Sequence, residues 1–457
     1  MENGIQTPKL RRVLGLPAVV FIAIGFTIGG GVFVFTGIAY KMAGQALPVA
    51  YALAVLPVFL SMMPLAMLGS AIPTVGGNYK YPSRMVSPGL AFVGIWVYAL
   101  ASFFGQIPLY ALGCARYAQY YFPTLSPTLF AVALVTLFFI INLLGIRLAA
   151  QIQGLLVIIL ISALVYYFLV GFEAIRLSHF HNIFDKGTSN LVLGTALLTF
   201  TYFGSNGIIE LGGEIKNPGR TIPRAFFIAF PIIAVIYISV AIATVGAASP
   251  AELTDAAEPL IRVIQLTGSR AGALFFVFCG AILALTTTLN ALYMVGTKSL
   301  LMMVVDGILP SALGKLHHRF RTPYILLTGI WLLSILGVVS GFSLETLASY
   351  AALGGLIIFL PIQLAAIRFR NQYPRHYRDA SFKLTGFFFW ICPLAGILMV
   401  LFFGMIILYD LKSLANVGSF VLFIFSGLLY YSFRKKYLRK RGIDLVESVK
   451  GQRRWDD

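Results

Sequence analysis

The chain has 457 residues, 59% of them hydrophobic and 11% charged, with a mean hydropathy of +0.88. Soluble domains run about 45–50% apolar and about 25% charged, so a water-soluble protein is excluded, and a disordered one with it. The 34 Lys and Arg against 16 Asp and Glu leave +18, with too little polar surface for a nucleic-acid partner and a bilayer as the natural one.

A spanning helix needs about 20 mostly apolar residues. Twelve segments qualify: residues 13–40, 48–72, 90–121, 128–144, 151–171, 191–211, 225–245, 271–305, 324–339, 343–367, 386–409 and 414–433. Lys9, Arg11 and Arg12 precede the first segment and no small-residue cleavage site follows, so it reads as a span and not as a signal peptide. The third and eighth segments exceed a perpendicular crossing and predict tilt. Cys114, Cys279 and Cys392 are scattered through apolar stretches and give neither a disulfide framework nor a metal-ligand spacing.

Twelve spans put both ends on one side. Of the 34 cations, 27 lie at the two ends and in the even-numbered connections, and seven lie on the other face. The positive-inside rule then predicts cytoplasmic termini and a multi-pass protein of the cell (inner) membrane. The basic stretch 434–441 follows the last span directly and reads as a topology determinant that touches anionic lipid.

Two spans are interrupted near their middles. The first reads Ile24-Gly25-Phe26-Thr27-Ile28-Gly29-Gly30-Gly31-Val32-Phe33, and the sixth reads Phe200-Thr201-Tyr202-Phe203-Gly204-Ser205-Asn206-Gly207. Each glycine forfeits about 1 kcal/mol of helix propensity relative to Ala. Non-helical backbone at membrane depth is tolerated only where protein or a polar cavity satisfies it. Matched interruptions in two halves of a chain point to a transporter's binding site. If the first helix enters from the cytoplasm, its outer half begins at the break with free N–H groups that suit a carboxylate. The inner half of helix one and the outer half of helix six end there with free carbonyls that suit an ammonium group or a cation. A zwitterionic α-amino acid supplies both charges.

At these residues the sequence resembles the amino acid–polyamine–organocation (APC) superfamily of transporters. Residues 24–37 resemble its glycine-rich first-helix signature, and Pro73-Thr74-Val75-Gly76-Gly77-Asn78-Tyr79-Lys80-Tyr81 resembles the stretch after helix two. Glu214-Ile215-Lys216-Asn217-Pro218-Gly219-Arg220-Thr221-Ile222-Pro223-Arg224-Ala225 resembles the loop after helix six, and Asp306-Gly307-Ile308-Leu309-Pro310 the end of helix eight. The resemblance covers about residues 13–433. It implies an all-α integral membrane protein of 12 transmembrane helices: a 5+5 inverted repeat (residues 13–171 and 191–367) with discontinuous helices one and six, two C-terminal helices (386–433), and cytoplasmic tails (1–12 and 434–457). It further implies that Ile28, Gly29, Gly30 and Gly31 meet a substrate carboxylate through backbone amides. Phe203, Gly204 and Ser205 would offer carbonyls to the amino group, and Phe200 would stand as an aromatic gate.

Against that pattern, Asn206 replaces the acid of some cationic-substrate relatives, which argues against arginine or a diamine. Helix five holds no lysine, although many relatives carry one there beside helix one. Thr286-Thr287-Thr288 in helix eight offers hydroxyl oxygens for a hard cation instead. Val305 replaces the Arg that usually precedes Asp306-Gly307, which weakens a gate pair at that point.

Other intramembrane polar groups are Gln106, Asn290 and Tyr293, candidates for lining a pocket or for joining helices. Glu210, a carboxylate within a span, reads as a proton carrier or part of an inner gate, or as facing a cytoplasmic vestibule with Glu214. All five histidines lie in connections, and no phosphate-binding loop occurs. An enzyme and a channel are therefore disfavoured. The expectation is a secondary transporter of neutral amino acids that uses no cofactor, with Na+ or H+ as possible coupling ion. The alternatives are a proton-coupled or exchange carrier of another amine or organic cation, and an amino acid sensor that does not transport.

Overall fold

A computed structural model describes residues 12–119, 121–256, 258–410 and 414–451; most of the N-terminal tail (1–11) and the last residues of the C-terminal one (452–457) lie outside them. The described residues are predominantly helical. Their only strand-like features are two isolated bridges, Leu14 with Ile215 and Val75 with Leu211.

Eight helical stretches are long and apolar enough to cross a membrane: Leu16–Ala71, Pro88–Gln119, Ile146–Glu173, Gly187–Glu210, Pro218–Ala247, Arg270–Val305, Leu344–Gln372 and Phe388–Tyr409. Pro127–Leu143 and Tyr324–Val339 are shorter apolar helices, and Leu414–Arg439 follows. Apolar segments become helices here because only a helix satisfies every backbone group within the segment when no water is near.

Several boundaries differ from the sequence reading. The first two predicted spans form one helical run, because the turn between them is tight: Thr36–Ala43 ends at Gly44 (φ 58°), and a single 3-10 turn leads into Leu47–Ala71. The seventh helix starts at Pro218, well before residue 225, since proline at the first helical position has no N–H to leave unpaired. The connection after residue 246 is not a bare loop. It holds two short helices, Pro250–Thr254 and Pro259–Thr267, the former closed by a capping box between Ser249 and Glu252.

The peripheral helices bury one side only. Leu155, Ile158 and Leu169 of Ile146–Glu173, and Leu398 and Met405 of Phe388–Asp410, face outward. The first helix is different: from Ile22 to Gly30 every residue is buried. A helix that is apolar all round belongs in a core, and this one sits among Leu283–Val305, Pro218–Ala247, Ile146–Glu173 and the Ser205–Glu210 segment. The interrupted helix is thus at the centre of the molecule. π-helical turns occur at Gly31–Phe35, Ala101–Gln106 and Phe276–Ile282, in the first, third and eighth spans. Such turns re-aim side chains inside a helix and cluster at functional sites.

Candidate functional site: two helix breaks in contact

The first break falls at Gly29, whose backbone leaves the helix (φ −19°, ψ −123°) before the π-helical turn from Gly31. The three glycines answer to three different neighbours. A Cβ on Gly29 would lie 1.3 Å from Thr288 Oγ1, one on Gly30 2.0 Å from the Tyr110 ring, and one on Gly31 3.0 Å from Thr201 Cβ. Helices eight, three and six therefore all approach the chain at this point. The freed Gly30 amide donates to Thr288 Oγ1 (3.2 Å), and Thr287 Oγ1 donates to the carbonyls of Gly25 (3.0 Å) and Ala284 (2.7 Å). Thr286 instead bonds back to Leu283 of its own helix. Two of the three threonines thus adjoin the break.

The second break follows Gly187–Thr201; the chain turns through Tyr202–Gly204 and resumes as a 3-10 segment, Ser205–Glu210. The two breaks touch each other. A Cβ on Gly204 would lie 2.7 Å from the Thr27 backbone, and one on Gly207 2.5 Å from the Phe26 ring. Tyr237, from the seventh helix, joins them: its hydroxyl donates to Thr27 O (2.7 Å) and Thr201 O (3.0 Å). These are carbonyls just before the first break and at the end of Gly187–Thr201, just before the second. Ser205 Oγ is buried at the second break with no hydrogen-bond partner among the described residues, whereas Tyr293 lies beside Ser334 of the helix Tyr324–Val339. A buried hydroxyl such as that of Ser205 is poised for a polar ligand.

The remaining candidates divide. Phe200 packs on Phe35 (ring centroids 5.2 Å apart) and against Gly355 of Leu344–Ile357, bridging the π-helical turn after the first break to that helix. Phe203 stacks on Phe359 at 4.5 Å. Asn206 is buried beside Ser205, and Ile28 just ahead of the first break. Gln106 donates to Tyr110 Oη (3.1 Å), and so positions the ring that covers Gly30. Asn290 is engaged elsewhere. It donates to Ala149 O and Gln153 Oε1 and accepts from Asn142 Nδ2, each at 2.9 Å, which joins helices four, five and eight.

A charged layer lies toward Glu214 and Asp306. Arg84 forms a two-point pair with Asp306, Nη2 to Oδ1 at 2.7 Å, and the Tyr79 hydroxyl donates to Oδ2 of the same carboxylate. The substitution at Val305 therefore does not remove the ion pair at Asp306, because the cation comes from the helix Gly77–Met85. Lys298 pairs with Glu214 at 3.1 Å. Glu210 accepts from Ser299 Oγ (2.8 and 3.0 Å) and from the Asn78 amide (2.8 Å). Its own carbonyl accepts from Gly76 N, and the Glu214 carbonyl accepts from Val13 N and Leu14 N.

The amino acid permease family model matches residues 18–442 of this chain, nearly its whole length. The chain belongs to the amino acid permease family. The methylthioribose transporter of Bacillus subtilis (strain 168) is 26% identical over 454 residues, 94% of this chain and 95% of that protein. The branched-chain amino acid permeases BcaP of Bacillus subtilis (strain 168) and of Lactococcus lactis are each 24% identical, covering 94% and 96% of both chains respectively. The protein is a multi-pass membrane protein of a transporter family.

Three residues at or beside the first break escaped the sequence reading. Tyr237 is one of 22 tyrosines, and nothing in its span marks it. Tyr110 reads as an ordinary membrane aromatic until Gly30 is placed beneath it. Gln153 is the side chain that helix five lays against helix one, 2.3 Å from where a Gly25 Cβ would be. A polar residue near the start of an otherwise apolar span was the available signal for Gln153.

Proposed function

We propose that this permease carries neutral amino acids across the cell membrane by alternating access, with the substrate held where the two broken helices meet. The observation that carries this reading is the contact between the breaks, with Tyr237 bonded to both broken ends. The amides after Gly29 suit the substrate carboxylate, and the carbonyls at Thr27 and Thr201 suit its ammonium group. Ser205 stands by with a hydroxyl that has no partner among the described residues, and no acidic side chain lies in either break, which favours a substrate without net charge. Phe200 acts as the outer gate. The charged layer of Arg84–Asp306 and Lys298–Glu214 is the inner gate, on the cytoplasmic side in a twelve-span topology with both termini inside.

Transport against a gradient needs a coupled ion or an exchanged solute. One sodium ion moving down about 100 mV contributes about 2.3 kcal/mol before any concentration term. Thr287 and Thr288, with the carbonyls of Gly25 and Ala284, form an oxygen-rich edge of the break suited to sodium.

The test is uptake and counterflow in proteoliposomes with a panel of labelled solutes: branched-chain and other neutral amino acids, lysine, arginine, and methylthioribose, the last because of the relative named for it. Counterflow of a neutral amino acid is expected. Movement of methylthioribose alone would replace the amino acid by an uncharged thiosugar at the same site, and counterflow of no solute would remove the transporter reading. Equal uptake in sodium and choline would remove the sodium assignment at Thr287–Thr288.

A further inference from the structure

The connection from Phe359–Gln372 to Phe388–Asp410 doubles back on itself. After the short helix Pro374–Asp379, its returning limb is pinned at three points. Tyr377 Oη donates to Leu384 O, Lys383 Nζ to Arg378 O (2.7 Å), and Phe382 N to Ser70 Oγ (3.0 Å). Between the limbs stands an open cavity of about 600 Å³, lined by Arg370, Asn371, Pro374, Tyr377, Arg378 and Lys383. Its size suits a small ligand, whose sites run about 300–1,000 Å³.

Three of the six lining residues are cations and none is an acid. Residues 368–383 carry Arg368, Arg370, Arg375, Arg378 and Lys383 against the single acid Asp379. Among the described residues Arg370, Arg378 and Lys383 form no ion pair; the pairs there are Arg84–Asp306, Arg262–Glu252 and Lys298–Glu214. Like charges around one cavity repel each other, and an anion among them removes that cost. The Arg370 guanidinium lies over the rings of Tyr377 and Phe389, 5.7 and 5.8 Å from their centroids, which orients its fork of donors. Such a fork meets two oxygens of one phosphate at once.

What adjoins the cavity decides the kind of phosphate. Four residues after Lys383 the chain presents Phe387, Phe388 and Trp390, all exposed, and Leu394 and Leu398 continue the outward apolar face. In a chain that spans a bilayer, lipid tails cover such a face, and a tryptophan at its end marks headgroup depth. Basic pockets at that depth bind lipid head groups. A soluble phosphate would use the cavity alone, whereas a phospholipid uses the cavity and the apolar face together. No carboxylate in the lining meets the ammonium of a zwitterionic head group, so the fitting lipid is a net anion.

We propose that Arg370, Arg378 and Lys383 bind the phosphate of an anionic glycerophospholipid whose tails lie along the outward face of Phe388–Asp410. The site is independent of the substrate and the coupling ion proposed above. Its influence reaches the charged layer. Arg368 Nη1 and Gln372 Nε2, on the helix that carries Arg370, donate to Met85 O (3.4 and 3.1 Å). A lipid that steadies this helix end also steadies Gly77–Met85, which holds Arg84.

The test uses the purified full-length protein, delipidated in detergent, with phosphatidylglycerol or phosphatidylcholine added back. Phosphatidylglycerol should raise the unfolding midpoint by several degrees and stay bound in native mass spectrometry; phosphatidylcholine should do neither. Arg378→Gln and Lys383→Gln, both at exposed side chains, should each raise the half-saturating phosphatidylglycerol concentration about fivefold, the worth of one cation near a lipid surface. The double variant Lys435→Gln/Lys436→Gln, in the basic stretch elsewhere on the chain, should bind as wild type does. Equal stabilisation by the two lipids overturns the proposal, and so does a response that neither glutamine variant weakens. A loss in the Lys435/Lys436 variant as large as in the cavity variants also overturns it, because the effect is then one of general charge. Inorganic phosphate that stabilises wild type as well as phosphatidylglycerol does gives the cavity to a soluble anion and overturns the lipid assignment. If a glutamine variant lowers the lipid-free midpoint, Arg378→Lys and Lys383→Arg take its place. These keep the charge and should stay within twofold, or about 0.4 kcal/mol, of wild type; a fivefold loss in both overturns the proposal.

Discussion

The two breaks and the charged layer beside them solve the same problem with opposite chemistry. At the breaks, backbone groups released from helical bonding are met by uncharged oxygens: Thr288 for the Gly30 amide, Tyr237 for the carbonyls of Thr27 and Thr201. In the layer of Arg84, Asp306, Lys298 and Glu214, full charges meet full charges in buried pairs. Neutral hydrogen bonds contribute about 0.5–1.5 kcal/mol net and exchange readily with those of a ligand. Breaking a buried ion pair by removing one partner costs about 3–5 kcal/mol. The first region is thus held by bonds that a ligand can replace, and the second by pairs that are costly to open.

The sharpest way to break this comparison is Gly29→Val. The sequence alone suggests that it blocks binding and leaves folding intact. The contact of a Cβ with Thr288 Oγ1 and Ala284 O says that folding suffers too, by about 3 kcal/mol or more, as overpacking does at its worst. Loss of folded yield together with complete loss of uptake is expected; normal uptake would show that the glycines are not needed for close approach. Next comes Asp306→Asn, which leaves Arg84 buried without its charge partner and should lower stability by about 3–5 kcal/mol, read as a drop in the unfolding midpoint. Tyr237→Phe removes the hydroxyl shared by the breaks; about 1–3 kcal/mol of stability and roughly tenfold in counterflow are expected. Ser205→Ala deletes a hydroxyl that has no partner among the described residues, so stability should hold while the half-saturating substrate concentration rises.

The smallest effect is at the connection before the eighth helix. Burial pushes the Glu258 carboxyl above its usual range, opposed by the Tyr117 hydroxyl and by Arg116 and Lys41. A raised folded-state value means that its contribution to stability is present at low pH and is lost as pH rises through that value. Wild type should therefore unfold at a slightly lower temperature as the pH rises from the ordinary carboxylate range, and Glu258→Gln should flatten that slope.

Most of what composition and spacing carry was readable in advance: the apolar helical spans, the two interruptions, and the loop after helix six. The reason is local, since Gly29-Gly30-Gly31 and Gly204 mark their own backbone. What could not be read is what comes from far away in the chain. Arg84 and Asp306 are 222 positions apart, and no spacing rule joins them. Asn290 and Gln106 illustrate the same limit from the other side. Each is a buried amide on a long apolar helix, yet one is held by neighbouring helices and the other steadies Tyr110 over the first break. Helical periodicity gives a residue's face, and only the packed neighbours decide what that face meets.

The backbone bonds from Val13 and Leu14 to the Glu214 carbonyl, returned by Lys216 N to Leu14 O at 2.8 Å, have a mechanical consequence. They rivet the root of helix one to the loop that follows helix six, so the stretch of helix one before its break and the segment after the second break form a single lever and not two independent arms. Any movement that opens the breaks on the side of Glu214 must carry both at once. A spacer inserted ahead of Leu16 would turn that lever into two loosely joined pieces.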